Sequence, residues 1–338
     1  MNLVTPSHAD RDGASPEPRR VPAGAPPVPR VEAGGPPAPA APAGTDAPAA
    51  SAAEKIGAWV KEFALYPFFI VLGIVGVFTL FSVLQRDDKD ARDYLAEIRG
   101  GGGKERWYAA FQLSNSIARQ GDDLKADAAF LQEVRELFDQ SDDDDPRLQR
   151  YLAIVLGRLQ DNAALPGLGR SLAADSDAET RMWSAWALGA IAAPEGVPAL
   201  VGALADPDAG VREMGAYALG SLRDPRSLEP LRAALQDEAE SVRWNAAIAL
   251  ALQGDGSGYA ILRQLVNSVY LSRLEGMTDE RVKETMLNAV KALGVLQASY
   301  PSARDLLEET STSAPFPLVK QEARKQLESQ AHGSRGGG

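Results

Sequence analysis

The sequence predicts an all-α chain: an α-solenoid of about six to seven helix pairs, preceded by one transmembrane helix and a disordered Pro/Ala-rich tail. Three observations carry that prediction. A motif ending in Leu-Gly or Leu-Ala recurs every 31 or 32 residues. From Asp87 to about Gln330 apolar residues fall at helical spacing between short turns, without strand-like alternation. An uncharged apolar run, Phe63–Leu84, stands between the tail and this helical region.

Composition narrows the function. The 338 residues include no cysteine, and the two histidines, His8 and His332, lie near the ends. A disulfide framework, a thiolate nucleophile and a Cys-based zinc site are therefore ruled out. A folded site would also lack an imidazole for acid–base work or metal binding. The net charge of -11 is opposite to the basic footprint of a nucleic-acid binder. The turn Gly100–Gly103 has no following Lys-Ser/Thr at P-loop spacing, and G-x-S-x-G, H-E-x-x-H and C-x-x-C are absent. No catalytic residue, cofactor, metal ligand or small-molecule substrate is expected, and the chain reads as a non-enzyme.

Residues 1–50 are dominated by Pro, Ala and Gly. Such a segment cannot bury enough apolar surface to offset chain entropy and is expected to be a disordered, extended spacer. A proline-motif docking site and a misassigned start codon remain open for it. Residues 51–86 form the expected membrane-anchor region. Ser51 and Glu54 have capping-box spacing, and Trp59 and Tyr66 suit a lipid–water interface. Phe63–Leu84 then supplies 22 residues without a charge, bracketed by Glu62 and Arg86; about 20 suffice to cross the hydrocarbon core. Pro67 either begins this helix or kinks it. A signal peptide fits poorly, because the run is long and late and Ser82–Gln85 is a poor cleavage site. Gly73, Gly76, Thr79 and Ser82 place small residues along one face, a candidate transmembrane contact. Arg86, Lys89, Arg92 and Arg99 outnumber Lys55 and Lys61, which leans the C-terminal domain toward the cytoplasmic side of a single-pass inner-membrane protein.

The repeat domain is read over residues 87–330, with a flexible tail over 331–338. Four copies align as Asp145–Gly157, Asp177–Gly189, Asp208–Gly220 and Ala239–Ala251, with ends spaced 32, 31 and 31 residues apart. Arg106–Ser114 fits the same frame as an earlier copy. Partner helices precede the later copies and end near Asp175, Asp206 and Asp237, again 31 apart. An ALPxLxxxLxD-like helix followed by a DxxVRxxAAxALG-like helix resembles HEAT repeats, closest to the short bacterial type seen in phycobilin-lyase-like proteins. The resemblance is specific over residues 163–252 and weaker on either side, where Val282-Lys283 and Leu293-Gly294 keep the motif at altered spacing. It implies stacked helix pairs with a long interaction surface.

Within the second helix, Val211, Met214, Ala218 and Leu219 mark the core stripe; Trp183, in the frame of Met214, is assigned to the core with it. Ala and Gly at 185, 215, 216, 246 and 247 allow close helix approach. Asp177 and Asp208 are natural N-caps, and Gly189 and Gly220 suit a left-handed helix end. Further turns are expected at Gly121-Asp122 and at Asp142–Pro146, a solvated loop with Asp145 as N-cap that lacks the Gly and distal Glu of an EF-hand.

Two rows recur with the repeat. Arg106, Arg181, Arg212 and Arg243 share one position and are read as structural ties to turn aspartates, against a phosphate-holding or acidic-peptide-holding ladder. Trp107, Phe111, Met182, Trp186, Tyr217, Trp244 and Ile248 fall at the positions of Glu213 and Tyr217. They either line a groove for a partner helix or extended peptide or pack between repeats. The functional expectation is a membrane-anchored scaffold or adaptor that recruits a protein partner, a membrane-embedded one included. A subunit or assembly factor of an envelope transporter or other membrane complex is the alternative. A phycobilin-lyase-like enzyme or chromophore chaperone is implied by the resemblance alone, and the missing imidazole and thiol count against it.

Overall fold

The computed structural model describes residues 66–84, 89–141 and 145–333. The expected disordered tail, the Ser51–Glu54 cap, Trp59, Asp142–Asp144 and residues 334–338 lie outside them. Two compact units are present, one ending at Asp88 and one beginning at Lys89.

The first unit contributes α1, Tyr66–Leu84, of 19 residues. Pro67 stands in its first turn, where a proline needs no amide partner. Every described side chain from Phe68 to Leu80 is exposed, Phe78 at 74%. Among the described residues no helix is long and apolar enough to cross a membrane. The span expected over Phe63–Leu84 is therefore not shown: its first three residues lie outside the described part, and the helix starts only at Tyr66. Of the small-residue face, Gly73 and Gly76 have open space around them. Thr79 donates its hydroxyl to the Val75 carbonyl at 2.7 Å, and the Ser82 side chain is outside the described part.

In the second unit all regular structure among the described residues is helical. The first helices are α2 (Ala91–Gly100), α4 (Ala128–Asp139), α6 (Leu165–Ala174), α8 (Val197–Ala203), α10 (Leu228–Ala234), α12 (Tyr259–Leu265) with the short α13 (Ser268–Leu271), and α15 (Pro301–Ser313). The second helices are α3 (Gly103–Leu124), α5 (Pro146–Leu159), α7 (Ala178–Ile191), α9 (Ala209–Leu222), α11 (Glu240–Leu252), α14 (Asp279–Leu296) and α16 (Pro317–Gly333). Each first helix packs on the second helix that follows it, which gives seven pairs among the described residues. Neighbouring pairs meet mainly through their second helices, α3 on α5, α5 on α7 and so on to α14 on α16, while first helices touch one another sparingly.

The sequence sets each boundary by local chemistry. Asp177 accepts from the Thr180 amide, and Asp208 from the amides of Gly210 and Val211. Asp145 accepts from the Arg147 amide at the start of α5. Short 3-10 turns such as Asn162–Ala164, Pro194–Gly196 and Pro225–Ser227 lead into α6, α8 and α10. The turn expected at Gly121-Asp122 is instead helical; α3 runs on to Leu124, and the turn falls just before the Asp127 cap.

Gly189 and Gly220 do not end their helices. The left-handed residues are Gln160, Ala192 and Arg223, three positions after Gly157, Gly189 and Gly220. The glycines serve packing. A Cβ on Gly189 would lie 2.7 Å from Ala218 Cβ, and one on Gly220 would lie 2.9 Å from Ala249 Cβ. On Gly157 it would meet Ala187 Cα and the Trp186 ring, both at 2.9 Å. Glycine thus brings consecutive second helices together backbone to backbone, and its cost in helix propensity is repaid by contact.

The core is one leucine- and alanine-rich layer between the helix rows. Leu156, Leu188, Leu219 and Leu250 recur at one frame position and are fully buried, as are Leu168, Leu200 and Leu231 opposite them. A second cluster continues it from Ala247 to Ala323, and α11 contributes to both. Of the expected stripe, Val211, Ala218 and Leu219 are buried, and Met214 is half-buried.

Candidate protein-binding face

Burial along α7, α9 and α11 leaves one narrow strip of each open to solvent. On α9 Val211, Arg212, Gly215, Ala216, Ala218, Leu219 and Gly220 are buried, and the open positions run through Glu213, Met214 and Tyr217. The corresponding strips are Met182, Trp183 and Trp186 on α7 and Trp244, Asn245 and Ile248 on α11. All seven expected groove residues, Trp107, Phe111, Met182, Trp186, Tyr217, Trp244 and Ile248, are half-buried. They sit on one face because helices with a common frame stack in register.

Their packing differs along the row. Phe111 meets the Tyr151 ring edge-on at 5.3 Å, and Trp107 stacks on Tyr151 at 6.4 Å. The Arg147 guanidinium carbon lies 4.1 Å over the Trp107 ring. Trp186 leans across Gly157 of the preceding repeat and meets Trp183 edge-on at 5.9 Å. Trp183 is half-buried beside Trp186 and, like Met214 in the same frame position, packs against the core with its other side open. Ile248 lines an apolar cavity of about 300 Å³ with Leu252 and Val295, and Asn288, Lys291 and Arg223 also border it. Burial raises the Tyr217 phenol above its ordinary range.

Sequence reasoning missed Tyr108 and Tyr151. The signal is the shared frame: both stand at the position of Trp183. Tyr108 is 52% exposed and stands 6.2 Å from Phe111.

The arginine row has a different role. Arg181 donates from Nε and Nη2 to the two Asp206 oxygens, both at 2.8 Å, and from Nη1 to the Asp175 carbonyl at 2.9 Å. Arg212 repeats this with Asp237 at 2.8 and 3.0 Å and the Asp206 carbonyl at 2.9 Å. Each fork clamps the loop of its own repeat to that of the next. Arg243 keeps only the carbonyl half, bonding Asp237 and Glu238 oxygens at 2.8 and 2.9 Å; Ser268 stands where the next aspartate would fall. Arg106 donates to the Ile98 carbonyl at 2.8 Å. Burial alone would raise the Asp206 and Asp237 carboxyls, but the arginine forks and adjacent amides outweigh it and hold both below the ordinary range. Further ties unpredicted from sequence run from Arg150 to Asp177 at 2.9 Å and from Arg135 to Asp161.

Among the described residues no group of His, Cys, Asp or Glu side chains could hold a metal ion. The face offers apolar and aromatic area with scattered polar groups, which is the chemistry of protein contact.

Residues 134–218 and 197–270 match the family model for HEAT repeats. No curated protein matches the chain in sequence. Solved structures that align with the chain include the complex of CpcE and CpcF of phycocyanin lyase from Nostoc sp. PCC7120, at 18% identity and a TM-score of 0.49 over 72% of this chain and 88% of that one. YibA of Escherichia coli is 16% identical with a TM-score of 0.44 over 84% and 99%. Human deoxyhypusine hydroxylase in complex with glycerol is 20% identical with a TM-score of 0.33 over 75% and 99%. HEAT repeats are generally protein-interaction modules, and the match centres on the pairs that carry Met182 to Ile248.

Proposed function

We propose that this chain is a protein-binding scaffold whose second-helix face receives a partner polypeptide, without catalysis. The supporting observation is the row of half-buried aromatic and apolar side chains from Trp107 to Ile248, interrupted by Arg150 and Glu213. Large rings anchored on one side and open on the other are the usual carriers of binding energy at protein interfaces. The arginines at the neighbouring frame position support the same division of labour, because Arg181 and Arg212 are engaged in holding the repeats and leave recognition to the rings. Tyr217→Ala combined with Trp244→Ala is expected to reduce partner recovery from cross-linked native membranes at least tenfold, since each anchor contributes about 2 kcal/mol. Circular dichroism and the melting temperature should change much less. Unfolding of the double variant would show that these rings are core.

The scaffold is further proposed to be held at the inner membrane by residues 63–84, with the repeats on the cytoplasmic side. This rests on the uncharged run Phe63–Leu84 and on the exposure of every residue from Phe68 to Leu80 in α1. Exposed apolar side chains in such number are unstable in water and favourable in lipid. The full chain should sediment with membranes and resist extraction by carbonate and high salt, and a chain lacking residues 63–84 should stay in the supernatant. Recovery of the full chain in the soluble fraction would overturn the anchor.

A further inference from the structure

Glu213 is the acid in an otherwise apolar neighbourhood. It shares its frame position with Met182 on α7 and Trp244 on α11, and Tyr217 lies one turn on. It is half-buried. From α11, Asn245 Nδ2 donates to Glu213 Oε1 over a long 3.5 Å while making a shorter 3.0 Å bond to the Ser241 carbonyl. Ser241 also bonds the carboxylate through its side chain. Arg281, in the first turn of α14, is the cation whose charge reaches Glu213. Its Nη1 is engaged with the Gly276 carbonyl at 3.2 Å. Among the described residues Glu213 forms no ion pair. Desolvation accordingly pushes its carboxyl above the ordinary range, and the Ser241 bond and the Arg281 charge offset this only in part. A carboxylate held half out of water with no cation at ion-pair distance is costly.

The same face shows how it treats a cation. At the Trp107 end, at the frame position of Glu213, Arg147 lies over the indole ring at 4.1 Å. The same guanidinium pairs with Asp145, at 2.5 Å from Nη2. One ring and one carboxylate thus hold one arginine, a pairing worth more as water is excluded. Glu213 with Tyr217 and Trp244 presents the same two elements, and among the described residues no guanidinium is ion-paired to that carboxylate.

The repeat period also breaks beside this position. Leu250 and Leu293 occupy one frame position but stand 43 residues apart rather than 31. The extra chain includes α13 and Gly276 at φ 73°. It returns to α11, where the Tyr270 hydroxyl donates to Glu240 at 2.5 Å. Insertions in repeat arrays commonly border the binding face.

We propose that the second-helix face between Met182 and Trp244 takes an arginine or lysine side chain of a partner polypeptide, ion-paired to Glu213 and set against the Tyr217 and Trp244 rings. This rests on the protein-binding reading above and names the chemistry of its partner. The net charge of -11 favours the approach of a basic segment.

The test is selection of a random displayed peptide library on the detergent-solubilised full chain, with the Tyr217→Ala/Trp244→Ala chain as the control. Enriched peptides should share a basic residue flanked by apolar ones. For one such peptide, replacing that arginine by citrulline should weaken binding at least tenfold, about 1.4 kcal/mol. Glu213→Gln, which keeps size and an acceptor for Ser241, should weaken the arginine peptide equally, leave the citrulline peptide unchanged and not lower the melting temperature, since it removes a desolvated charge. Enriched peptides without a basic residue, or an arginine preference that survives Glu213→Gln, would overturn the inference and leave the binding face standing. No enrichment over the control would overturn both.

Discussion

Arg212→Ala is expected to lower the unfolding free energy by about 3 kcal/mol, the scale for breaking a buried ion pair from one side. The Arg212 and Asp237 side chains are only 8% and 12% exposed. Alanine would leave the Asp237 carboxylate in that environment without its fork, and the Asp206 and Pro207 carbonyls without their donor. The loss falls on the seam between α9 and α11, so chemical denaturation should show a lower midpoint and an earlier opening of the C-terminal pairs. The pH dependence gives an independent check. Asp206 and Asp237 have folded pKa values below the ordinary aspartate range. Groups of this kind favour the folded state above the unfolded pKa, near 4, and that contribution disappears as pH falls through the lower folded value. The wild-type melting temperature should therefore drop steeply below about pH 4. In Arg212→Ala that acid limb should be shallower, because Asp237 no longer gains from folding in its charged form. Equal acid limbs in the two proteins would show that the clamp is not what lowers Asp237.

Gly189→Ala is expected to destabilise the chain by about 2 kcal/mol, whereas Gly202→Ala is expected to stabilise it by about 0.5 kcal/mol. Both glycines are helical, and alanine gains about 1 kcal/mol in helix propensity at either. At Gly189 the new methyl would meet Ala218 Cβ at 2.7 Å and Cα at 3.0 Å. That contact is with backbone, and α9 is fixed on its other side by Ala249 against Gly220, so the pair can separate only by opening the seam. At Gly202, exposed near the end of α8, a Cβ meets nothing within 4 Å. Thermal denaturation of the two single variants decides the matter: the same substitution should move the melting temperature in opposite directions. A rise at both positions would show that second helices have slack at their crossing.

Much of the repeat was legible because its determinants are local or periodic. Aspartate caps act within three residues, as at Asp177 and Asp208. The apolar frame repeats with the helix turn. The arginine clamps could be anticipated because Arg181 and Arg212 recur in step with Asp206 and Asp237, so one spacing accounts for both partners. The candidate face was legible as a row of seven positions for the same reason. What failed depended on approach between helices. Gly189 and Gly220 look like helix ends when read along the chain, yet their role is set by Ala218 and Ala249, 29 residues further on. Gly121 reads as a turn, yet α3 continues through it.

By itself the sequence determined the all-helical class, the 31-residue unit, the caps, the clamps and which side chains share a face. Those features follow from hydrogen-bonding chemistry and helical period, which a linear string records. Only the tertiary structure decided how deeply each member of that face is buried. It set Trp183 against the core with one side open beside Trp186, and it laid Trp186 across Gly157. It also left Glu213 half-dry between α9 and α11 with no ion pair among the described residues. Burial is fixed by how closely the neighbouring helix lies, and that distance is set by a glycine one repeat away rather than by the residue that is buried.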